Sequence, residues 1–146
     1  MAGDLRDRII AGGAEALRDS GLKGFSMEQA ALRAGVSRKT VYNYFSSRFE
    51  LLDGVLEARA RETMEVLGAI ASDASLGFVE KLNRVTEEGF RRGREGTRFL
   101  RGDGSYPKSA ELYRALRANL AEFITGIVSE AAGLGLIRED VDPRRL

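Results

Sequence analysis

The chain has 146 residues, of which 43% are hydrophobic and only two are proline; this suits one domain, or a small module with a modest second one, and excludes a disordered tail. It contains neither cysteine nor histidine, which excludes a disulfide framework, a thiolate metal site and the usual imidazole base. A formal net charge of +1, from 23 Lys and Arg against 22 Asp and Glu, points bulk electrostatics at no partner.

The distribution of charge says more. Residues 1–50 carry eight cations and six anions, and the interval from Gly35 to Arg48 holds Arg38, Lys39 and Arg48 without one acid. The N-terminal "MAGDLRDRIIAGG" has early acids and lacks the apolar run of a secretory signal. No stretch approaches the ~20 apolar residues of a membrane span. A cytoplasmic chain with no membrane partner is the expectation.

Nothing alternates convincingly with period two, so the expected fold class is all-α. The first helix is expected from about Asp4 to Ser20, with Leu5, Ile9, Ala16 and Leu17 on its apolar face and Gly21 stopping it. Gly12 and Gly13 each cost about 1 kcal/mol against alanine inside a helix. Two readings stand side by side: close approach by a neighbouring helix, or simply a weak helix. In "FSMEQA", Ser26 and Gln29 form a capping box for a second helix running to about Arg33. Gly35 then suits a tight turn and Ser37 an N-cap, opening a third helix from Arg38 to about Tyr44. So short a helix must be held by packing. Ser47 and Glu50 box a long fourth helix toward Ile70, with Leu51, Leu52, Val55, Leu56, Thr63, Met64 and Leu67 at helical spacing. A fifth is expected from near Ser75, with Leu76, Val79, Leu82 and Phe90 on one side. The glycine-rich "REGTRFLRGDGSYPK", residues 94–108, predicts a loop with at most a short helix around Arg98. The last strong helix is expected from about Ser109 to Ala132, carrying Leu112, Leu116, Leu120, Phe123, Ile127 and Ala131, with Gly133 and Gly135 ending it.

Helices two and three with their turn read as a helix-turn-helix from Met27 to about Phe45. Ala31 is small where the helices cross, and Ala30, Ala34, Val36, Val41 and Tyr44 are placed to face inward. The second helix of such a unit enters the DNA major groove with its N-terminal residues against base edges. Here those are Arg38, Lys39 and Thr40; a cation donates to guanine O6 and N7, and a threonine methyl meets a thymine methyl. Tyr42, Asn43 and Arg48, with Ser26 and Ser37, are suited to phosphates, which fix register without reading sequence. The bland alternatives are that Arg38 and Lys39 are a solvated pair and that Tyr44 and Phe45 are core anchors rather than DNA contacts.

The stretch "FSMEQAALRAGVSRKTVYNYFSSRFELL", preceded by "RIIAGGAEALRDSG", resembles the TetR-type transcriptional repressors. The features that carry it are the Ala34–Ser37 turn, Thr40–Tyr42, the following Phe45 and a basic residue, Arg48, opening helix four. Four positions depart from the pattern. Gly12–Gly13 replace alanines and Ala30 a larger aliphatic residue, which predicts looser packing of the small domain. Arg48 replaces lysine, which changes the geometry of a phosphate contact. The resemblance implies an N-terminal three-helix DNA-binding module, residues 1–50, joined by a long helix to a helical effector and dimerisation domain, residues 51–146. It implies a repressor, not an enzyme, that binds a palindromic operator in double-stranded DNA as a homodimer and answers to a small-molecule effector. No cofactor or metal is expected.

Ligand identity does not carry over from the resemblance. Met64, Phe90, Phe99, Tyr113, Leu116 and Phe123 are candidates to line an effector pocket, although each is also ordinary core material. At the C-terminus, "GLIREDVDPRRL" places Asp142 as an N-cap and Pro143 at a first helical position, with three residues remaining. In proteins it resembles, that phrase precedes the last two helices, so the chain is expected to be a truncated version lacking them; the alternative is a form that dimerises differently. Two rival functions differ in class. Glu87–Glu88 or Asp140–Asp142 would have to serve an enzyme as paired carboxylates, and an all-α interaction module would keep the motif without binding DNA.

Overall fold

The computed structural model describes residues 2–100, 106 and 108–138. Among them run α1 (Ala2–Gly24), α2 (Met27–Ala34), α3 (Arg38–Tyr44), α4 (Arg48–Ser72), α5 (Phe78–Leu100) and α6 (Ser109–Gly133), with no strand. The fold is all-α. These helices pack into two units, one bounded by Met1–Arg61 and Gly96–Ser109, the other by Glu62–Glu95 and Ala110–Leu146. Helix α4 contributes to both.

In the first unit, Ile9, Leu17, Phe25, Val41, Phe45, Leu51, Leu52 and Val55 form the sealed core. Gly21 adopts φ 63°, a conformation outside the helix, so the regular part of α1 breaks where the glycine predicts it and a short turn runs on to Gly24. The two readings of Gly12 and Gly13 are resolved in favour of close approach. A Cβ on Gly12 would lie 2.7 Å from the Ala30 carbonyl oxygen and 2.8 Å from the Ala34 amide nitrogen; on Gly13 it would lie 2.8 Å from Val55 Cγ2. The small domain is therefore not looser for its glycines. Gly12 and Ala30, small against small, let α1 lie directly on the backbone of α2, and Ala30 is fully buried.

Arg8, one turn earlier on α1, donates to the Ala34 carbonyl at 2.9 Å and so satisfies an orphan acceptor at the end of α2. Farther along the chain, Tyr106 returns to this unit. Its hydroxyl donates to Asp53 Oδ1 at 2.6 Å, Lys108 meets Asp53 Oδ2 at 2.6 Å, and the ring tilts against Phe49 with centroids 6.3 Å apart. Burial raises the Asp53 carboxyl, but these two hydrogen bonds outweigh it and hold the group below its ordinary value.

In the second unit, Leu67, Val85 and Ile127 are the buried centre, wrapped by Phe78, Leu82, Leu120, Phe123 and Ile124. Helix α5 differs from expectation in three ways. It begins at Phe78 rather than near Ser75, because the Ser75 amide and hydroxyl both turn back to Asp73 Oδ1, at 2.9 and 2.6 Å. It continues to Leu100 through the stretch expected as a loop from residue 94. Ion pairs one turn apart, from Arg91 to Glu88 and Glu95 and from Arg92 to Glu88, favour the helix over the glycines at 93 and 96. Its inner face is also rotated: Val79 and Phe90 are 65% and 57% exposed, whereas Val85 and Lys81 are buried.

Helix α6 ends as its glycines predict. Gly135 takes φ 68°, its amide donates to the Ala132 carbonyl and the Leu136 amide to that of Ala131, closing a Schellman motif. The side chains of Phe99, Leu112 and Tyr113, and the helix start expected at Asp142–Pro143, lie outside the described residues, as do Asp140 and residues 101–105 and 107 of the stretch expected as a loop.

Candidate nucleic-acid interface

Helix α3 owes its existence to its two ends and one buried face. Ser37 Oγ accepts from the Thr40 amide at 3.0 Å, the Phe45 amide donates to the Val41 carbonyl, and Val41 and Phe45 are buried. The preceding turn is equally determined. Gly35, at φ 66° and ψ 36°, ends α2 with its own amide donating to α2 carbonyls, while the Val36 amide reaches the Ala31 carbonyl at 3.0 Å. Upstream, Ser26 Oγ accepts from the Gln29 amide at 3.1 Å. The return leg of that capping box is absent, because Gln29 Oε1 accepts instead from Arg33, which is also paired to Asp19 at 2.7 Å.

This leaves a defined outer face. Arg38, Lys39, Tyr42 and Asn43, at helical spacing, are all exposed, and Thr40 is half-buried with its hydroxyl 2.8 Å from that of Ser37. Ser37 is exposed and Ser26 half-buried, each with its oxygen engaged in capping. Six of the eight residues assigned to DNA from the sequence, Ser37 through Tyr42 and Asn43 without Val41, thus share one short segment. The face carries cations, hydroxyls and an amide, and α3 itself holds no acid.

Arg48 is placed differently. It is half-buried, its Nη2 donates to the Leu22 carbonyl, and its guanidinium carbon lies 5.6 Å from the centre of the Phe49 ring. Its Nε is buried and has no hydrogen-bond partner among the described residues. Arg48 therefore braces the start of α4 against the end of α1. The neighbouring cap runs from the Glu50 amide to Ser47 Oγ at 3.2 Å, while the Glu50 carboxylate accepts from the amide and hydroxyl of Ser46 and is held below its ordinary pKa by them.

Glu28 is a neighbour of this face that the sequence alone did not reveal. It stands in the first turn of α2, yet its carboxylate lies 2.8 Å from Arg38 on α3. Ten residues separate the two, so no helical spacing relates them; only the assembled turn brings them together.

Apart from Phe99, which falls in the segment Gly96–Ser109 of the first unit, the effector candidates are scattered over the second unit. Phe123 packs on the Leu67–Val85–Ile127 core, Met64 and Leu116 are half-buried, and Phe90 faces solvent. An open cleft of about 680 Å³ between α5 and α6 is lined by Leu82, Asn83, Thr86, Glu87, Ile124 and Val128, none of which was a candidate. The neighbouring Glu88 accepts from Arg91 and Arg92, which lower its pKa to about 2, so it is a fixed anion rather than half of an acid–base pair. Among the described residues, no helix is long and apolar enough to cross a membrane.

Comparison with known proteins agrees with this geometry. Residues 9–55 match the model of the bacterial regulatory proteins of the tetR family. An uncharacterized HTH-type transcriptional regulator, YvaF of Bacillus subtilis (strain 168), is 34% identical over 74 residues, covering 49% of this chain and 39% of that protein. The match thus spans about two fifths of that relative's length. Two crystal structures share the fold. One, from Mesorhizobium loti MAFF303099 and described as a TetR-family regulator, is 18% identical with a TM-score of 0.81, covering 99% of this chain and 76% of that one. The other, FadR from Bacillus subtilis in complex with stearoyl-CoA, is 22% identical with a TM-score of 0.69, covering 95% of this chain and 77% of that one. Residues 9–55 thus match the N-terminal domain of the tetR family, and the chain as a whole shares the all-α fold of these structures.

Proposed function

We propose that the protein is an effector-responsive transcriptional repressor that reads a palindromic operator in double-stranded DNA with residues 38–44, as a homodimer in the cytoplasm and without enzymatic activity. The observation that carries this reading is the outer face of α3: Arg38, Lys39, Tyr42 and Asn43 are exposed together on a helix whose opposite side is buried through Val41. Arg38, Lys39 and Thr40 address base edges, and Tyr42, Asn43, Ser26, Ser37 and Arg48 address phosphates. The brace to Leu22 sets the angle at which Arg48 meets the backbone.

The effector belongs in the second unit, where Met64, Phe90, Leu116, Phe123 and Tyr113 remain candidates; Phe99, also a candidate, falls in the segment Gly96–Ser109 of the first unit. A regulator of the same fold is solved with stearoyl-CoA, so a long-chain acyl-CoA is the first compound to try. The test of DNA binding is affinity for a duplex measured against salt. A genuine binder loses affinity linearly on a logarithmic plot, with a slope of about 0.9 per phosphate neutralised. A flat response overturns the reading and favours an interaction module that keeps the motif for another purpose.

A further inference from the structure

Arg38 is not simply an exposed cation. One nitrogen of its guanidinium lies 2.8 Å from Glu28 Oε1, another is 3.4 Å from the Tyr42 hydroxyl, and its central carbon sits 5.3 Å from the centre of the Tyr42 ring. The Tyr42 hydrogen bond and the Glu28 charge both hold its pKa above the ordinary arginine value. Lys39, the next residue, has no such tether among the described residues. The side chains of Arg38 and Glu28 are 61% and 51% exposed, and an ion pair that open contributes little to folding. A carboxylate beside the cations of a phosphate-facing surface also weakens attraction to any duplex. In the first turn of α2 Glu28 also favours the helix dipole, but its charge faces the cations of α3, and indiscriminate DNA binding would do better without it.

We propose that Glu28 is a specificity-determining residue, acting by positioning Arg38 against Tyr42 so that this arginine reads a base instead of grasping the nearest phosphate. The reasoning rests on the DNA-binding function proposed above. A guanidinium presents five N–H donors in a rigid plane. Glu28 and Tyr42 engage part of that plane and leave the rest for a bidentate acceptor such as guanine O6 and N7. Moving Arg38 to a phosphate exchanges one anion for another and strands Glu28 near a second negative charge. Non-specific contact is penalised, and base reading with the pair intact is not.

The test is a double-mutant cycle on the full chain. It uses two duplexes of equal length, the best site selected by the unaltered protein from random sequences and a shuffled version of it. Glu28→Gln keeps size and hydrogen-bonding capacity and removes the charge. It should strengthen binding to the shuffled duplex by up to about fivefold, the range of an exposed ion pair. Its salt slope on that duplex should steepen by about 0.9, one phosphate more. The selected site should gain less, so the ratio of the two affinities shrinks. With Arg38→Ala already in place, Glu28→Gln should leave the ratio unchanged. Equal strengthening on both duplexes, or the same shift without Arg38, makes Glu28 a plain repulsive charge and overturns the proposal alone. Absence of salt-dependent duplex binding by the unaltered chain overturns the function and this proposal together. Tyr42→Phe supplies a second reading: it keeps the ring and should shrink the ratio less than Glu28→Gln does.

Discussion

In the first unit α1 crosses α2 with Gly12 set against the carbonyl of Ala30 and the amide of Ala34, whereas in the second unit α5 meets α6 through Leu120, whose side chain fills the notch at Gly89. One contact is limited by backbone and the other by the end of a flexible side chain. Backbone cannot step aside without moving a whole helix, while a leucine changes rotamer at modest cost. The first unit is therefore built with little slack, which suits the fixed register that the proposed reading by α3 requires. The second unit tolerates more exchange of side chains at its helix contacts.

The largest expected effect comes from attacking the rigid contact. Gly12→Ala removes a glycine penalty of about 1 kcal/mol but forces a methyl into backbone at under 3 Å. Overpacking of this kind costs about 1–3 kcal/mol, and the net change should be destabilising. Urea unfolding should show the loss, and hydrogen exchange should place it in the amides of α1 and α2. Unchanged protection there would mean that the crossing has slack after all and would dissolve the contrast between the units.

A smaller effect is expected from the charges of the second unit. Glu88 is held to about pKa 2 by Arg91 and Arg92, and Arg92 also reaches Glu62 on α4 at 3.3 Å. In the unfolded chain this carboxyl titrates near its ordinary 4.5, so between pH 4.5 and 2 the unfolded state binds the extra proton. The contribution of Glu88 is complete above about pH 4.5 and is lost as pH falls through 2. Screening by solvent at the half-exposed Arg91 keeps it to about 1 kcal/mol. Glu88→Gln should lower stability at neutral pH by that amount and converge with the parent near pH 2, as followed by urea titrations across the range. Parallel curves would show the network to be ornamental.

The same contrast explains how far the sequence could be read. Ser26, Gly35 and Ser37 act on residues three or four positions away, so the helix boundaries of the reading unit are written locally. The exposed face of α3 follows from the same spacing. In α5 the local signals mislead. Gly93 and Gly96 read as breakers, but the Glu88–Arg91–Arg92–Glu95 ladder holds the helix through to Leu100. Its buried face escapes a hydrophobic pattern because Lys81 packs its stem inward with its ammonium 4.0 Å from Glu130, while Val79 and Phe90 are left outside. The Glu28–Arg38 pair and the Asp53–Tyr106 contact were illegible for another reason: each joins residues that only the finished fold makes neighbours.

The smallest expected effect is the counterpart of the first. A Cβ on Gly89 would lie 2.4 Å from Leu120 Cδ1 and 3.0 Å from Cδ2, closer on paper than anything near Gly12. Yet both atoms belong to the tip of one half-buried side chain, and alanine restores about 1 kcal/mol of helix propensity to the middle of α5. Gly89→Ala should therefore change stability by less than about 1 kcal/mol, the rotamer cost of Leu120 and the propensity gain nearly cancelling. Pairing it with Leu120→Ala gives the sharper measurement. If Leu120 is the sole obstacle, the two substitutions together should cost less than the sum of each alone, because the added methyl occupies space the leucine has vacated. Strict additivity would mean that α5 and α6 are spaced by backbone, as α1 and α2 are, and that the two units differ in sequence but not in construction.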